Sequence, residues 1–283
     1  VSRIDVGGLR FEGLWQEETV GVVYFSDLTD WYSGAKSKTE TREIPESDGA
    51  WEQARDWRGS LPISVKGWYR APTEFDLFEM IARMRGALVP RTLVDMTVTD
   101  ALRPSSRRVS VRNLWIKEDL ESKSFDFELD VTANDPTLFG PEDVVTTTLP
   151  TFGGGLPFPI EYPLDLGTAG DPGTLEVVNP GPTDAFTQFE VYGGGMVGGF
   201  EILNMETGRR LRCERSLSSG HTAYFASRTA AAYLDDPAND ISAYLTVREW
   251  WVAPPQSSQT IRFDALGTTS GTPRLRARTR PTY

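Results

Sequence analysis

Residues 134–183 hold nine of the nineteen prolines of this 283-residue chain and eight of its glycines, and no other stretch limits the fold as sharply. Proline fixes φ and lacks a backbone donor, and glycine reaches positive φ freely, so such a stretch continues neither a helix nor a central strand. It reads as a connector. Asn134-Asp135-Pro136-Thr137-Leu138-Phe139-Gly140 closes a strand, and Gly153-Gly154-Gly155-Leu156-Pro157-Phe158-Pro159 resumes extended chain. The apolar members, among them Leu149, Phe152, Ile160, Tyr162, Leu164 and Leu166, are too many for a disordered linker. Residues 141–174 are therefore expected to form an ordered strap with buried apolar side chains, between a domain at 1–140 and another at 175–283.

Two halves of this size each bury a core. The chain has no run of eighteen apolar residues, and Val1-Ser2-Arg3-Ile4-Asp5 lacks the form of a signal peptide, so a soluble protein with no membrane partner is expected. A net charge of −11 argues against stable nucleic-acid binding, which needs clustered Lys and Arg. The charge is also segregated. Residues 141–208 carry ten acids and no Lys or Arg, whereas residues 209–283 carry eleven arginines against six acids. Either the two stretches pair as neighbouring strands of one domain, or acidic and basic faces meet between subunits.

In the first half, residues 123–131 alternate cleanly, with Phe125, Phe127, Leu129 and Val131 on one face and Ser124, Asp126, Glu128 and Asp130 on the other. Similar runs occupy 20–25, 61–69 and 109–116. Residues 73–86 are helical: Thr73 is placed to cap, Phe75, Phe78, Ile81, Ala82 and Met84 recur at helical spacing, and Gly86 is placed to end the helix. Residues 26–60 form a long polar segment without period that carries Trp31, Tyr32, Trp51 and Trp57. Loops of that length tend to be functional, and aromatic residues are enriched at interface cores, so these four are expected to contact a neighbour.

The second half reads as all β, with about eight short strands at 175–178, 186–192, 199–204, 210–214, 222–225, 243–252, 260–266 and 274–278, the pattern of a sandwich or jelly roll. Arg274, Arg276, Arg278 and Arg280 share one parity and stand on one face. Such a ladder is either a solvated edge strand defended by charge or a charge-complementary face for a partner.

No catalytic, metal or cofactor site is expected. Cys213 is alone, which removes a disulfide framework and Cys-based zinc sites, and it is expected to be buried. His221 is also alone and looks like a turn residue before a strand. Asp126, Glu128 and Asp130 read as a solvated strand face rather than a glycosidase pair. Gly193-Gly194-Gly195-Met196-Val197-Gly198-Gly199 is followed by strand rather than helix, so a hairpin turn is expected in place of a phosphate cradle. Asp235-Asp236-Pro237-Ala238-Asn239-Asp240 lacks the glycine and terminal glutamate of a calcium loop and reads as a turn.

The order of parts, however, resembles a family. A β domain with one helix ends in Ala133-Asn134-Asp135-Pro136-Thr137-Leu138-Phe139-Gly140; Gly154-Gly155-Leu156-Pro157-Phe158-Pro159 follows, then a second β domain containing Glu249-Trp250-Trp251-Val252 and Thr260-Ile261-Arg262-Phe263. Val22-Val23-Tyr24-Phe25 leading to Asp30-Trp31-Tyr32, and Val177-Val178-Asn179-Pro180-Gly181, add to the pattern. The chain resembles the distal tail proteins of long-tailed, non-contractile bacteriophages, especially the minor tail proteins of actinobacterial phages. It departs from them at Ala226-Ser227 and at Pro254-Pro255-Gln256-Ser257-Ser258. The resemblance implies a mainly β protein: an N-terminal β-sandwich or split-barrel belt domain with one helix that closes a hexameric ring, then a galectin-like C-terminal β-sandwich. It implies location at the distal end of the virion's tail, with the chain itself, the tail tube protein, the tail-associated hub protein and the tape measure protein as partners. A carbohydrate-binding module working through Trp250 or Trp251 is the alternative; one of that adjacent pair must face the core.

Overall fold

A computed structural model describes residues 1–13, 19–38, 44, 48, 58–151 and 170–283. Trp51, Trp57 and most of the apolar residues of the expected strap lie outside them. The chain divides into two compact units, Val1–Pro141 and Glu142–Tyr283.

Among the described residues, the first unit is a closed seven-stranded barrel. Its strands are β1 (Arg3–Val6), β2 (Leu9–Glu12), β3 (Val23–Thr29), β4 (Leu61–Arg70), β5 (Leu93–Thr99), β6 (Pro104–Asp119) and β7 (Ser124–Ala133), in the order β1-β2-β3-β4-β7-β6-β5, with β5 returning to β1. Alternation makes the barrel: Leu61, Ile63, Val65 and Tyr69 of β4 and Phe125, Phe127, Leu129 and Val131 of β7 are buried, and the intervening residues face out. Glu128 of the expected solvated face forms an ion pair with Lys66 at 3.0 Å. β1, β2 and β5 escape a periodicity search because two are only four residues long.

The barrel is uneven. β5 pairs with β6 only from Pro104 to Ser110, whereas β7 follows β6 to Asp119. Beyond the Val111 backbone, which bonds Arg91 and Thr92, the outer edge of β6 from Arg112 onward pairs with no strand among the described residues. On the opposite side of the same four strands, β3 meets β2 only at the parallel pair Glu12 and Tyr24. Gly67 makes the intervening packing possible. It faces Phe25, where β3 bulges, and a Cβ there would sit 2.0 Å from the Tyr24 carbonyl oxygen and 2.7 Å from the Phe127 ring.

The helix α1 (Glu74–Ala87) starts as expected, with Thr73 Oγ1 accepting from the Asp76 N–H at 3.2 Å. Its inward face differs from the expected one: Leu77, Ile81 and Met84 are buried, while Phe75 and Phe78 are exposed. Gly86 does not end it; the helix continues to Ala87 and is closed by the Leu88 N–H on the Met84 carbonyl.

The second unit is a sandwich of two five-stranded antiparallel sheets. One has the order β14-β13-β10-β17-β8, with β8 (Asp143–Thr148), β10 (Thr187–Tyr192), β13 (Thr222–Ala226), β14 (Ala231–Leu234) and β17 (Arg274–Thr279). The other has the order β15-β12-β11-β16-β9, with β9 (Thr174–Asn179), β11 (Phe200–Asn204), β12 (Arg210–Cys213), β15 (Leu245–Arg248) and β16 (Ser257–Ala265). Phe189, Phe225 and Leu275 from the first meet Phe200, Ile202 and Phe263 from the second in one core, with Phe200 edge-on to Phe225 at 5.6 Å. Cys213 is buried in it, and burial raises its thiol pKa.

Three expectations change here, and one strand was not anticipated. Residues 143–148, placed in the strap, form β8 and pair along β17. The glycine run 193–199 is no hairpin: it carries the chain from β10 in one sheet to β11 in the other. The strand expected at 243–252 is confined to Leu245–Arg248, because Trp251 leaves the sheet to pack on Phe189 at 5.5 Å. β14 was too short, at four residues, to register as a run.

Candidate functional surfaces

Trp31 is buried within its own barrel. Its Nε1 donates to Ser105 Oγ at 3.2 Å, the Arg107 guanidinium stacks 5.1 Å from its ring centroid, and Arg107 Nη1 donates to its backbone carbonyl. Arg107 is itself buried, and desolvation pushes its pKa down to about 10, against the opposing pull of Asp135. The ring of Trp31 is 1% exposed and presents nothing to a neighbour, contrary to its expected place in an interface. Tyr32 remains open at 59%, with its hydroxyl donating to Asp100 Oδ2 at 2.9 Å. Asp100 Oδ1 also accepts the N–H groups of Leu102 and Arg103.

Arg274, Arg276 and Arg278 of the arginine ladder lie on one face of β17, as the parity requires, with Arg280 just beyond its end, but β17 is not an edge strand: β10 flanks it on one side and β8 on the other. Its countercharges come from its own sheet. Arg278 Nε lies 2.6 Å from Glu190 Oε1, Arg276 Nη1 lies 3.4 Å from Glu190 Oε2, and Arg278 and Arg280 reach Glu142 at 3.4 and 3.7 Å. The Tyr192 hydroxyl donates to Glu190 at 2.8 Å, and Glu190 is buried beneath this cover. Thus Glu142 and Glu190 of the acidic stretch meet the basic stretch inside one unit. Arg274 differs: it makes no ion pair among the described residues and rests 5.6 Å from the Tyr192 ring centroid.

Arg274 borders a cavity of about 450 Å³ with mainly polar walls, lined also by Tyr192, Gly193, Ser219, His221 and Thr272. His221 does stand in a turn before a strand, and its Nδ1 is 2.6 Å from Asp235 Oδ2, whose other oxygen accepts the Thr222 N–H. Those bonds hold the Asp235 carboxyl below its usual range, the His221 contact first. Of the two tryptophans, Trp251 belongs to the core, and Trp250 is half-buried beside a shallow cavity of about 560 Å³ with Arg209 and Glu249.

No family model matches this sequence, and no curated protein matches it. Solved structures do. The SPP1 Dit (gp 19.1) protein, described as a paradigm of hub adsorption apparatus in Gram-positive infecting phages, matches with TM-score 0.63 and 12% identity over 100% of this chain and 99% of its own. The phage P2 baseplate in its activated conformation with Ca matches with TM-score 0.52 and 6% identity, over 99% of this chain and 98% of that one. The same baseplate with Sr gives 0.50 and 5%, covering 98% of each chain. What is shared with these phage proteins at such identities is the fold, barrel and sandwich together, along the full length of the chain.

Proposed function

We propose that this chain is a structural component of a phage tail tip, a distal tail protein whose copies close a ring, six in number, between the tail tube and the tail-associated hub and leave a channel for DNA. The observation that carries this reading is the whole-length likeness of both units to a hub adsorption protein and a baseplate chain. The barrel adds a physical means. A ring needs head-to-tail interfaces, in which one surface meets a different one on the next copy. The open edge of β6 beyond Val111 and the sparsely paired edge of β3 lie at opposite sides of one four-stranded sheet, and an unpaired edge is a template for another strand. Trp115, half-exposed on that part of β6, and Tyr32 are, with Phe75 and Phe78 of α1, the aromatic residues that the described part of the first unit offers to a neighbour. Six copies at −11 each carry about −66, and the part of that charge that lines a channel would repel passing DNA instead of holding it.

The role is scaffolding rather than catalysis, at the distal end of the tail, with the tail tube, hub and tape measure proteins as partners. Native mass spectrometry and electron microscopy of the purified protein, alone and with its tube protein, test it. A ring of six is expected, broken to monomers by Trp115→Lys without loss of the folded β signal. A monomer in both settings overturns it.

A further inference from the structure

The cavity beside Arg274 is a built site. Three connections converge there: the arch from β10 to β11, the turn before β13, and the turn between β16 and β17. Backbone bonds tie them together, Gly193 N–H to the His221 carbonyl at 2.8 Å, Met196 N–H to the Leu217 carbonyl at 3.0 Å, and Val197 N–H to the Thr268 carbonyl at 2.9 Å. The crossing is too close for side chains: a Cβ on Gly193 would lie 2.1 Å from the Ser218 carbonyl oxygen, and one on Gly194 would lie 2.4 Å from the Pro273 nitrogen. The backbone of these walls is therefore held in place before any ligand arrives, which lowers the entropy lost on binding, and the side chains of Ser219, His221, Thr272 and Arg274 stand exposed on it.

Its chemistry is selective. The wall offers one guanidinium, Arg274, the single member of the ladder without a carboxylate partner among the described residues, so the site has room for one anionic group. The hydroxyls of Ser219 and Thr272 make no hydrogen bond among the described residues, and His221 stands beside them. The Tyr192 ring is already engaged by two cations, Arg274 and Arg276, at 5.6 and 5.0 Å from its centroid. The lining is more polar than apolar, which suits a hydroxylated ligand over a hydrophobic peptide anchor. A volume of about 450 Å³ exceeds what a bare oxyanion fills and falls in the range of small-ligand sites.

We infer that this cavity binds a single sugar unit bearing one phosphate or carboxylate group, the anion on Arg274 and the ring hydroxyls on Ser219, Thr272 and His221. The Arg guanidinium meets either oxyanion with paired N–H donors, and the hydroxyls both donate and accept, as sugar hydroxyls require. The inference is independent of the ring, since every group belongs to the second unit.

Titration calorimetry and saturation-transfer NMR on the full chain test it, with glucose 6-phosphate, glucuronate, glucose and inorganic phosphate as probes. Millimolar or tighter binding of at least one acidic sugar is expected, about tenfold tighter than glucose or inorganic phosphate, and lost about tenfold in Arg274→Gln. Preference for the phosphate or the carboxylate names the natural source. Ser219→Ala with Thr272→Ala is expected to weaken the sugars severalfold and leave inorganic phosphate unchanged. No binding, equal binding of glucose, equal binding of bare phosphate, or indifference to Arg274→Gln each overturns the inference.

Discussion

Arg278 reaches past its register partner Gln188 to Glu190, Nε to carboxylate oxygen at 2.6 Å, and shares that carboxylate with Arg276. Burial opposes the charge of Arg278, but Glu190 and Glu142 outweigh it and raise its pKa. A strand carrying three arginines on one face thus lies in the middle of a sheet because a neighbouring strand supplies one buried acid between two of them. Removing the acid leaves two partly covered cations without it. Glu190→Ala is expected to cost about 2–3 kcal/mol, most of it from the stranded charge. Urea unfolding measures this, and Glu190→Ala combined with Arg276→Met and Arg278→Met should recover most of the loss.

Trp31 fastens the chain after β3 to the barrel wall through Ser105 and Arg107. Trp31→Ala is expected to destabilise the first unit by about 3–5 kcal/mol, as for other buried aromatics cut to alanine. Trp31→Phe keeps the packing and loses the bond to Ser105, costing about 1–2 kcal/mol. Tyr32→Ala, beside it but exposed, should change unfolding little.

Gly67→Ala forces a Cβ against the Tyr24 carbonyl and the Phe127 ring, with backbone on one side and core on the other. A loss of at least about 3 kcal/mol is expected. Circular dichroism melting detects it, and Gly208→Ala, with nothing within 4 Å of the added atom but φ at +70°, should cost less.

Acid and alkali should both act through Asp100 and Tyr32. The Arg103 N–H, opposed by burial and joined by the Leu102 N–H and the Tyr32 hydroxyl, holds the Asp100 carboxyl below its ordinary range. A depressed carboxylate gives stability that is present above the unfolded value near ~4 and lost as pH falls through the folded one. Burial first, then the hydrogen bond and charge of Asp100, push the Tyr32 phenol up to about 12. That contribution is present below the ordinary value near ~10 and lost as pH rises through about 12. In Asp100→Asn the melting temperature should lie roughly 2 °C below the parent at pH 7 and converge with it in acid. Absorbance titration should show one tyrosine ionising earlier than in the parent.

Long alternating runs were legible in the sequence. The face of β7, the capped start of α1 and the parity of the arginine ladder all follow from periods of 2 and 3.6, and the structure keeps them. What was not legible depends on contacts distant in sequence. Nothing local to Trp31 announces Ser105 or Arg107, so a buried anchor looks like an exposed aromatic. β8 has no period, and only its pairing with β17, at the other end of the unit, makes it a strand. Phe75 and Phe78 fit the helical spacing as well as Leu77 does, and the barrel's choice of face is settled by packing. The cavity beside Arg274 arises where three turns cross, and no single turn contains its signal. Val177-Val178-Asn179-Pro180-Gly181 was recognisable as a motif before its reason was: the buried Asn179 amide bonds the carbonyls of Thr183, Ala253 and Pro254 and accepts the Gly181 N–H.

The pairing of Asp143 through Thr148 with Thr279 through Arg274 carries a consequence for synthesis. The seven described barrel strands have been made by Ala133, so the first unit can close while the second is still emerging. β8 is the first strand of the second unit to leave the ribosome and gains its partner last, after about 130 further residues, or roughly 7–25 s at ordinary elongation rates. For that interval it is a strand without its partner. Its composition suits the wait: Asp143 and the three threonines keep it wettable, and the carboxylate of Glu142 beside it has no ion-pair partner until Arg278 and Arg280 arrive. The acids that fasten the finished sandwich also keep its opening strand from premature association.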